Sequence, residues 1–309
     1  MKKLIAALML LLAGTAALLY LSPAALLTSI QLVERQRAGL SLKQISVGDL
    51  SIHYYEGGPS SAQTILMVHG FAANKDNWLR FARHLSQDYR VIALDLPGFG
   101  ASDKPAGSYD VGTQTERLAS VIDALGIAQL NLIGNSMGGH ISALYAARYP
   151  EKVLTLALLD NAGITSPQSS ELLQRLQRGD PNPLVVKKPE DFQHLLDFIF
   201  VQPPYLPESL KGYFAEQALA NSAHYDQVFA HLVGRYIPLE PELPKIQAPT
   251  LIIWGAEDRV LHVSSIEVMQ PLLRKPHVVI LPDTGHAPMI ERPELTAHHY
   301  RAFLQAAQN

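Results

Sequence analysis

The sequence predicts an α/β protein with a doubly wound, mostly parallel sheet, and three observations support this prediction. Short apolar runs recur along the chain, and amphipathic helical patterns separate them. The 309 residues are 48% hydrophobic, which is enough to bury one large core or two smaller ones. The stretch from 161 to 247 breaks the alternation, because it lacks strand runs and is helical, aromatic and rich in proline.

The first 22 residues predict a membrane anchor. No charged residue follows Lys2 and Lys3 until Glu34, and residues 4–21 are almost entirely Leu, Ala, Ile and Met. This run is about as long as a helix that spans a bilayer core. A cleaved secretory signal is the alternative. The apolar stretch, however, continues through Leu21 and past Pro23 to Ile30, which favours an uncleaved segment. The basic start favours a cytoplasmic N-terminus, with the large domain across the membrane.

Residues 23–43 predict a juxtamembrane helix that follows Pro23 and ends at Gly39. The helix is expected to lie at the membrane surface or to bind a second copy of the chain in a homodimer. A plain spacer is the alternative that the residues leave open.

Residues 44–160 and 248–309 predict the α/β core. A hairpin is expected first, with strands at residues 45–47 and 50–55. Buried parallel strands are expected at residues 64–68, 91–94, 130–133, 153–159, 250–254 and 278–281. Core helices are expected at residues 78–85, 111–125, 137–148, 263–273 and 294–307. Residues 161–247 are expected to form a helical lid over the strand ends, with helices at residues 169–178, 191–200, 208–221 and 225–234.

Composition excludes several classes of function. The formal net charge of −3 gives no basic field for nucleic acid. The absence of cysteine excludes disulfides, thiolate metal sites and a lipidated N-terminal cysteine. No cluster of metal ligands is apparent in the sequence, and we expect neither a metal nor another cofactor.

A serine nucleophile is predicted at position 136. The local sequence is Gly134-Asn135-Ser136-Met137-Gly138, between an apolar run and a helical pattern. On such a strand–turn–helix corner the hydroxyl projects from the backbone, and the flanking glycines leave room for the tight turn. A serine hydroxyl is a weak nucleophile unless a base accepts its proton and an acid orients that base.

Two later strands supply candidates for the acid and the base. Asp258 follows the apolar run at 250–254, and His286 follows the run at 278–281. The chain order Ser, Asp, His is the one expected for this kind of sheet. Taken singly, Asp258 could cap a helix, His286 is one of 12 histidines, and Glu257 is an alternative acid. Three candidates at the ends of the appropriate strands favour a catalytic triad.

The oxyanion of an acyl-transfer intermediate needs two backbone donors. The N–H of Met137 is available at the N-terminus of the helix after the nucleophile. The second donor is expected from the loop after residues 64–68, where Gly70 allows the turn and Phe71 supplies the N–H. The side chain of His69 is expected to support this loop by packing and hydrogen bonding.

Other polar residues close to the strand ends have structural interpretations. Asp95 is expected to be a turn residue, and His140 a structural residue of the helix that Ser136 begins. Asp160 and Asn161 could contact a polar head group, and a strand-end cap is the alternative.

Four sequence blocks together resemble the α/β-hydrolase superfamily over residues 45–309. They are His69-Gly70-Phe71, residues 95–102, the Ser136 turn, and Gly285-His286-Ala287-Pro288 with Glu291 and Pro293. Within the superfamily, residues 69–78 and 135–139 resemble bacterial lipases and membrane-anchored phospholipase A1 or monoacylglycerol lipase-like enzymes. The resemblance implies a triad of Ser136, Asp258 and His286, with oxyanion donors at Phe71 and Met137.

The resemblance and the anchor imply a membrane-anchored serine ester hydrolase whose partners are a lipid ester and the bilayer. Members of the narrower group often carry an N-terminal membrane helix, which implies a single pass through a bacterial inner membrane and a periplasmic catalytic domain. Acyl-chain contacts are expected from the lid, at Phe192, Phe198, Ile199, Phe200, Tyr205, Phe214 and Phe229. No feature selects phospholipid over monoacylglycerol.

Two other functions remain open at this point. A carbon–carbon bond hydrolase of ring-cleavage products would share the fold and the triad, although the anchor argues against it. A catalytically silent binding protein on the same fold would usually have lost a triad residue, and none is missing here.

Overall fold

Eight strands form one sheet in the computed structural model, which describes residues 22–308. They are β1 Leu40–Val47, β2 Leu50–Gly57, β3 Thr64–Val68, β4 Arg90–Leu94, β5 Leu130–Asn135, β6 Val153–Leu159, β7 Thr250–Gly255 and β8 Pro276–Leu281. The order across the sheet is β1-β2-β4-β3-β5-β6-β7-β8. The pairs β1–β2 and β2–β4 are antiparallel, and the other neighbours are parallel. The predicted mostly parallel sheet is confirmed.

Helices alternate with the strands. They are α1 Pro23–Arg37, α2 Leu79–Ala82, α3 Val111–Ala124, α4 Met137–Arg148, α5 Glu171–Gln177, α6 Asp191–Ile199, α7 Glu208–Ala220, α8 Ser222–Gly234, α9 Ser265–Met269, α10 Pro288–Glu291 and α11 Pro293–Gln308. The helix expected at 263–273 is shorter than predicted, since Pro271 lacks an N–H and the chain continues as a 3₁₀ turn.

The central strands are buried on both faces, which explains why they read as continuous apolar runs. In β3, Leu66 and Val68 pack with α3 and α4, whereas Ile65 and Met67 pack with α2 and α11. Successive side chains therefore serve two different cores, as the period of a strand requires. This double packing fixes the carboxyl ends of the strands, which carry the candidate site.

The N-terminal prediction is tested only in part, because residues 1–21 lie outside the described chain. Within residues 22–308, no helix is both long enough and apolar enough to cross a membrane. Helix α1 begins at Pro23 with the Ser22 hydroxyl accepting from the N–H of Ala25 at 3.2 Å. It ends before Gly39, whose φ is +62°, and the remainder of the predicted juxtamembrane stretch belongs to β1.

Four helices, α5 to α8, occupy the insertion between β6 and β7. Helix α7 packs against α6, α8 and α1. The insertion contacts the loop predicted to supply an oxyanion donor, because the Phe229 ring of α8 lies 5.7 Å from the ring of Phe71 in an edge contact.

Candidate active site

Ser136 occupies a strained corner between β5 and α4. Its φ of 55° and ψ of −121° are unusual for any residue with a side chain. A Cβ on Gly134 would collide with the carbonyl of Gly138, and a Cβ on Gly138 would collide with the carbonyl of Val68. Both glycines are therefore needed for the turn, and the corner holds Ser136 in a partly exposed position.

Asp258 and His286 meet at the carboxyl ends of β7 and β8. The His286 Nδ1 lies 2.8 Å from Asp258 Oδ2, and their side chains are 8% and 0% exposed. The other oxygen of Asp258 accepts from the N–H groups of Val260 and Leu261, at 2.8 and 3.0 Å. Because Nδ1 donates to Asp258, Nε2 of the neutral ring is free to accept a proton.

The alternative acid, Glu257, has a different partner. Its Oε2 accepts from the N–H of Thr284 at 3.0 Å, and no bond from its carboxylate to the His286 ring occurs within residues 22–308. This hydrogen bond stabilises the loop that carries His286.

Asn135 connects β5, which leads to the predicted nucleophile, with residues 282–287, the histidine loop that carries His286. Its Nδ2 donates to the carbonyls of Leu159 and His286, at 3.1 and 3.0 Å. The N–H of Ser136 donates to the same Leu159 carbonyl at 3.0 Å. The described residues include no Ser136–His286 side-chain hydrogen bond, and such bonds are often long in the absence of substrate. Sequence reasoning missed Asn135, whose one signal was a polar residue inside a buried strand next to the nucleophile.

The predicted oxyanion loop passes directly beside Ser136. A Cβ built on Gly70 would lie 3.1 Å from the Cβ of Ser136. Across residues 22–308, the main-chain N–H groups of Phe71 and Met137 have no protein acceptor. Ala72, which follows, adopts a φ of 54°. Two N–H groups that lack an acceptor, next to a serine, can donate hydrogen bonds to an anionic oxygen.

His69 supports this loop as predicted from the sequence. Its Nδ1 donates to the carbonyl of Gly70 at 2.7 Å, and its Nε2 accepts from the N–H of Leu96 at 3.0 Å. Complete burial lowers the pKa of His69, so the ring is neutral and keeps this donor–acceptor pattern.

Asp95 is more than the turn residue that the sequence predicted. Its carboxylate accepts from the Nζ and the N–H of Lys75, both at 2.8 Å, and from the N–H of Ala101 at 2.9 Å. The side chains of Lys75 and Asp95 are 8% and 0% exposed. This buried ion pair fixes the segment that follows the oxyanion loop.

An apolar cavity of about 160 Å³ adjoins Ser136. Its lining includes Phe71, Val111, Met137, Leu172, Leu184, Phe229, Leu232, Val233, Tyr236, Val260 and Leu261. His140 also lines it, with Nε2 donating to the carbonyl of Ile237 at 2.7 Å. Burial lowers the pKa of His140 to about 4, which keeps this ring neutral.

The seven predicted acyl contacts lie in several places. Phe229 lines the cavity at Ser136, whereas Phe192 and Phe214 stack at 6.0 Å in a cleft of about 700 Å³ beside α1. Tyr205 is 88% exposed. Three others pack into the protein: Phe198 against Leu172 and Val260, and Ile199 and Phe200 against the core near β8.

The residues after β6 are buried. Asp160 and Asn161 are 0% and 1% exposed, which favours the strand-end interpretation over contact with a head group. Asp160 also lies next to Asp258 and His286. One carboxylate oxygen of each aspartate and one ring nitrogen of the histidine all lie within 4.8 Å of one another.

The order of the strands, the serine corner and the paired Asp258 and His286 define a hydrolase of the α/β class. The chain belongs to the α/β hydrolase fold family, whose sequence model matches residues 63–293.

Three similar proteins narrow the class. A solved structure of a membrane phospholipase A, described as a bacterial virulence factor, is 60% identical with a TM-score of 0.92 and full coverage of both chains. Lipase 1 of Psychrobacter immobilis is 35% identical over 87% of this chain and 86% of its own length. Monoacylglycerol lipase abhd6-B of Xenopus laevis is 31% identical over 93% and 89%. The chain is a lipase-like carboxylic ester hydrolase.

Proposed function

We propose that the protein is a membrane-anchored lipid ester hydrolase, of the lipase, phospholipase A1 or monoacylglycerol lipase type, which uses Ser136, His286 and Asp258. The observation that carries the proposal is the 2.8 Å pair between His286 and Asp258, on a loop tied by Asn135 to the strained Ser136 corner. The three relatives, which include a phospholipase A and a monoacylglycerol lipase, support lipid esters as the substrate class.

The proposed reaction passes through an acyl-enzyme. Ser136 Oγ attacks the ester carbonyl while His286 Nε2 accepts its proton, and Asp258 holds the imidazole and stabilises its cation. The intermediate collapses as His286 returns the proton to the alkoxide leaving group. His286 Nε2 then accepts a proton from water as the water attacks the acyl-enzyme. It passes this proton to Ser136 Oγ as the bond between Oγ and the acyl group breaks, which releases the fatty acid.

The N–H groups of Phe71 and Met137 are the proposed oxyanion donors. Their lack of protein acceptors within residues 22–308 supports this role, because a preorganised donor needs no rearrangement during the reaction. The bonds of His69 to Gly70 and Leu96 keep Phe71 in place.

Residues 161–247 are proposed as a lid, on the core formed by residues 44–160 and 248–309. The lid is joined to the histidine loop, since the N–H of His286 donates to the carbonyl of Ile199 at 2.8 Å. Glu291 accepts from Gly285 and from Val201 and Gln202, at 2.8, 3.0 and 2.6 Å. A movement of the lid at these residues would reach the catalytic base directly.

Residues 1–22 are proposed as the membrane anchor and 23–43 as the juxtamembrane region, in a bacterial inner membrane with a periplasmic catalytic domain. The similarity to a membrane phospholipase A supports membrane association. Helix α1 packs on α7 and lines an apolar cavity with Tyr205 and Leu210, so the juxtamembrane region is joined to the proposed lid. The expected homodimer through the N-terminal helices stays a prediction, for which the exposed Leu32 and Val33 offer surface.

A fluorophosphonate probe tests the serine mechanism. We expect one covalent adduct, mapped by mass spectrometry to Ser136, that is absent in Ser136→Ala. Ser169→Ala is the matched control, because Ser169 is an exposed serine of the insertion. Labelling that persists in Ser136→Ala would contradict the assignment of the nucleophile.

A further inference from the structure

Asp160 is a buried acid that the proposed reaction does not use. It follows β6 directly, and its N–H donates to the carbonyl of Ile253 at 3.0 Å. Its φ of 44° is in the left-handed region, which is strained for aspartate. A carboxyl oxygen of Asp160 lies within 4.8 Å of Asp258 and His286, and all three side chains are buried.

The two oxygens of Asp160 have unequal surroundings. Oδ1 accepts from the N–H of Gly255 at 2.8 Å. Oδ2 is completely buried, and no donor within residues 22–308 reaches it. A buried carboxylate oxygen without a donor is strongly unfavourable. A carboxylate oxygen of Asp258 lies within 4.8 Å of one of Asp160, but two carboxylates would both be acceptors.

The surrounding charges decide which of the two acids holds a proton. Asp258 accepts three hydrogen bonds, from the N–H groups of Val260 and Leu261 and from the ring of His286, and all three favour a carboxylate at this position. Asp160 receives a single donor. Burial, the negative charge of Asp258 and that of Glu291 all raise the pKa of Asp160 well above the ordinary range of an aspartate.

We propose that Asp160 is a neutral carboxylic acid whose Oδ2–H donates a hydrogen bond to the carboxylate of Asp258. It is a positioning residue: it holds Asp258 in the orientation that receives His286, and it does not touch the substrate. The proposal rests on the proposed roles of Asp258 and His286. It accounts for the buried Oδ2 that lacks a donor, because a protonated Oδ2 is itself a donor and the carboxylate of Asp258 is a nearby acceptor.

Asparagine is the informative substitute at this position. In Asp160→Asn, the amide oxygen can accept from Gly255 and the amide nitrogen can donate to Asp258, so the neutral pattern is kept. Asp160→Ala loses both bonds. Without a donor, Asp258 is more basic and stabilises the imidazolium of His286 more, so the acid limb of kcat/KM shifts to higher pH.

The experiment measures kcat/KM against pH on a soluble ester, with detergent-solubilised full-length protein. We expect Asp160→Asn to stay within about threefold of wild type with an unchanged acid limb. We expect Asp160→Ala to lose roughly ten- to hundredfold, the effect of losing a hydrogen bond to a charged group, with an upward shift of that limb. A hundredfold loss in Asp160→Asn, or a wild-type profile in Asp160→Ala, would overturn the proposal.

Thermal unfolding provides a readout that does not depend on catalysis. Above about pH 4, unfolded Asp160 is ionised while the folded residue keeps its proton, so wild type loses stability as the pH rises. Asp160→Asn lacks this loss, and its melting temperature should exceed that of wild type increasingly from pH 4 to 8. A difference that stays constant over this range would show that Asp160 is ionised and would overturn the proposal.

Ser136→Ala and Asp258→Asn, measured in parallel, distinguish a failure of the proposed triad from a failure of the neutral Asp160. If both retain activity, the proposed triad is wrong. If both lose activity while Asp160→Asn also loses it a hundredfold, the triad stands and the neutral Asp160 is wrong.

Discussion

Replacing Lys75 by methionine is expected to lower the free energy of unfolding by about 3 kcal/mol. The Nζ of Lys75 lies 2.8 Å from Asp95, and the two side chains are 8% and 0% exposed. Methionine keeps the apolar stem but leaves the Asp95 carboxylate without its counter-ion. Breaking a buried pair in this way costs about 3–5 kcal/mol. We expect the lower end of this range, because the main-chain N–H groups of residue 75 and Ala101 still donate to the Asp95 carboxylate.

The matched control is Lys43→Met, because Lys43 pairs with Glu56 at 2.7 Å but its side chain is 49% exposed. That substitution should cost less than about 1 kcal/mol. Urea unfolding at pH 7.5 gives both values, and Lys75→Met combined with Asp95→Asn should recover part of the loss because no charge remains buried. Equal effects of Lys75→Met and Lys43→Met would refute the argument that burial makes the Asp95 pair important.

Three further predictions concern the site, the pH response and the anchor. Asn135→Ala removes the side-chain donor to the carbonyls of Leu159 and His286. We expect kcat/KM to fall roughly ten- to hundredfold, with substrate binding little affected. An unchanged kcat would contradict the role of Asn135 in placing the histidine loop. His140 has its pKa lowered to about 4, so the stability it contributes is complete above about pH 6.5 and is lost as the pH falls towards 4. Denaturant titrations should therefore show that the cost of His140→Asn is about 2 kcal/mol smaller at pH 5 than at pH 7.5, and an equal cost at both would refute it. Removal of residues 1–22 should release the protein from membranes while activity on soluble esters is retained; a truncated protein that stays in the membrane pellet would show that α1 itself binds membranes or that the anchor is misassigned.

The sequence predicted the sheet well because buried parallel strands leave a local signal. All six strands predicted as parallel are five to seven residues long, and each begins and ends within two residues of its predicted bounds. The expected burial is wrong for β8, which lies at the edge of the sheet and is only partly buried. The partners of Ser136 followed from the same logic, since the residues that follow β7 and β8 must meet at one sheet edge. The pairing of Asp258 with His286 agrees with that expectation.

The residues that the sequence could not identify depend on distant chain segments. Asn135 bonds to a carbonyl 151 positions away, and nothing in its neighbourhood indicates that partner. Asp160 similarly meets Asp258 only because β6 and β7 are adjacent in the sheet.

The aromatic residues of the insertion were equally hard to place. Their environments follow from how α5 to α8 pack on one another, and the apolar pattern of a helix does not say which neighbour covers it. Phe198, for example, is buried beneath the guanidinium group of Arg259, at 4.8 Å, rather than at Ser136. Tyr205, expected to contact substrate, is largely in solvent.

Fatty-acid release by the detergent-solubilised full-length protein, measured beside Ser136→Ala, tests whether the chain hydrolyses lipid esters through Ser136. The panel holds a monoacylglycerol, a lysophospholipid, a diacyl phospholipid and a short soluble ester. We expect release from at least one of the lipid esters, and loss of that release in Ser136→Ala. Hydrolysis of the short ester alone, or lipid hydrolysis that survives in Ser136→Ala, would contradict the claim that this chain is a lipid ester hydrolase with Ser136 as its nucleophile.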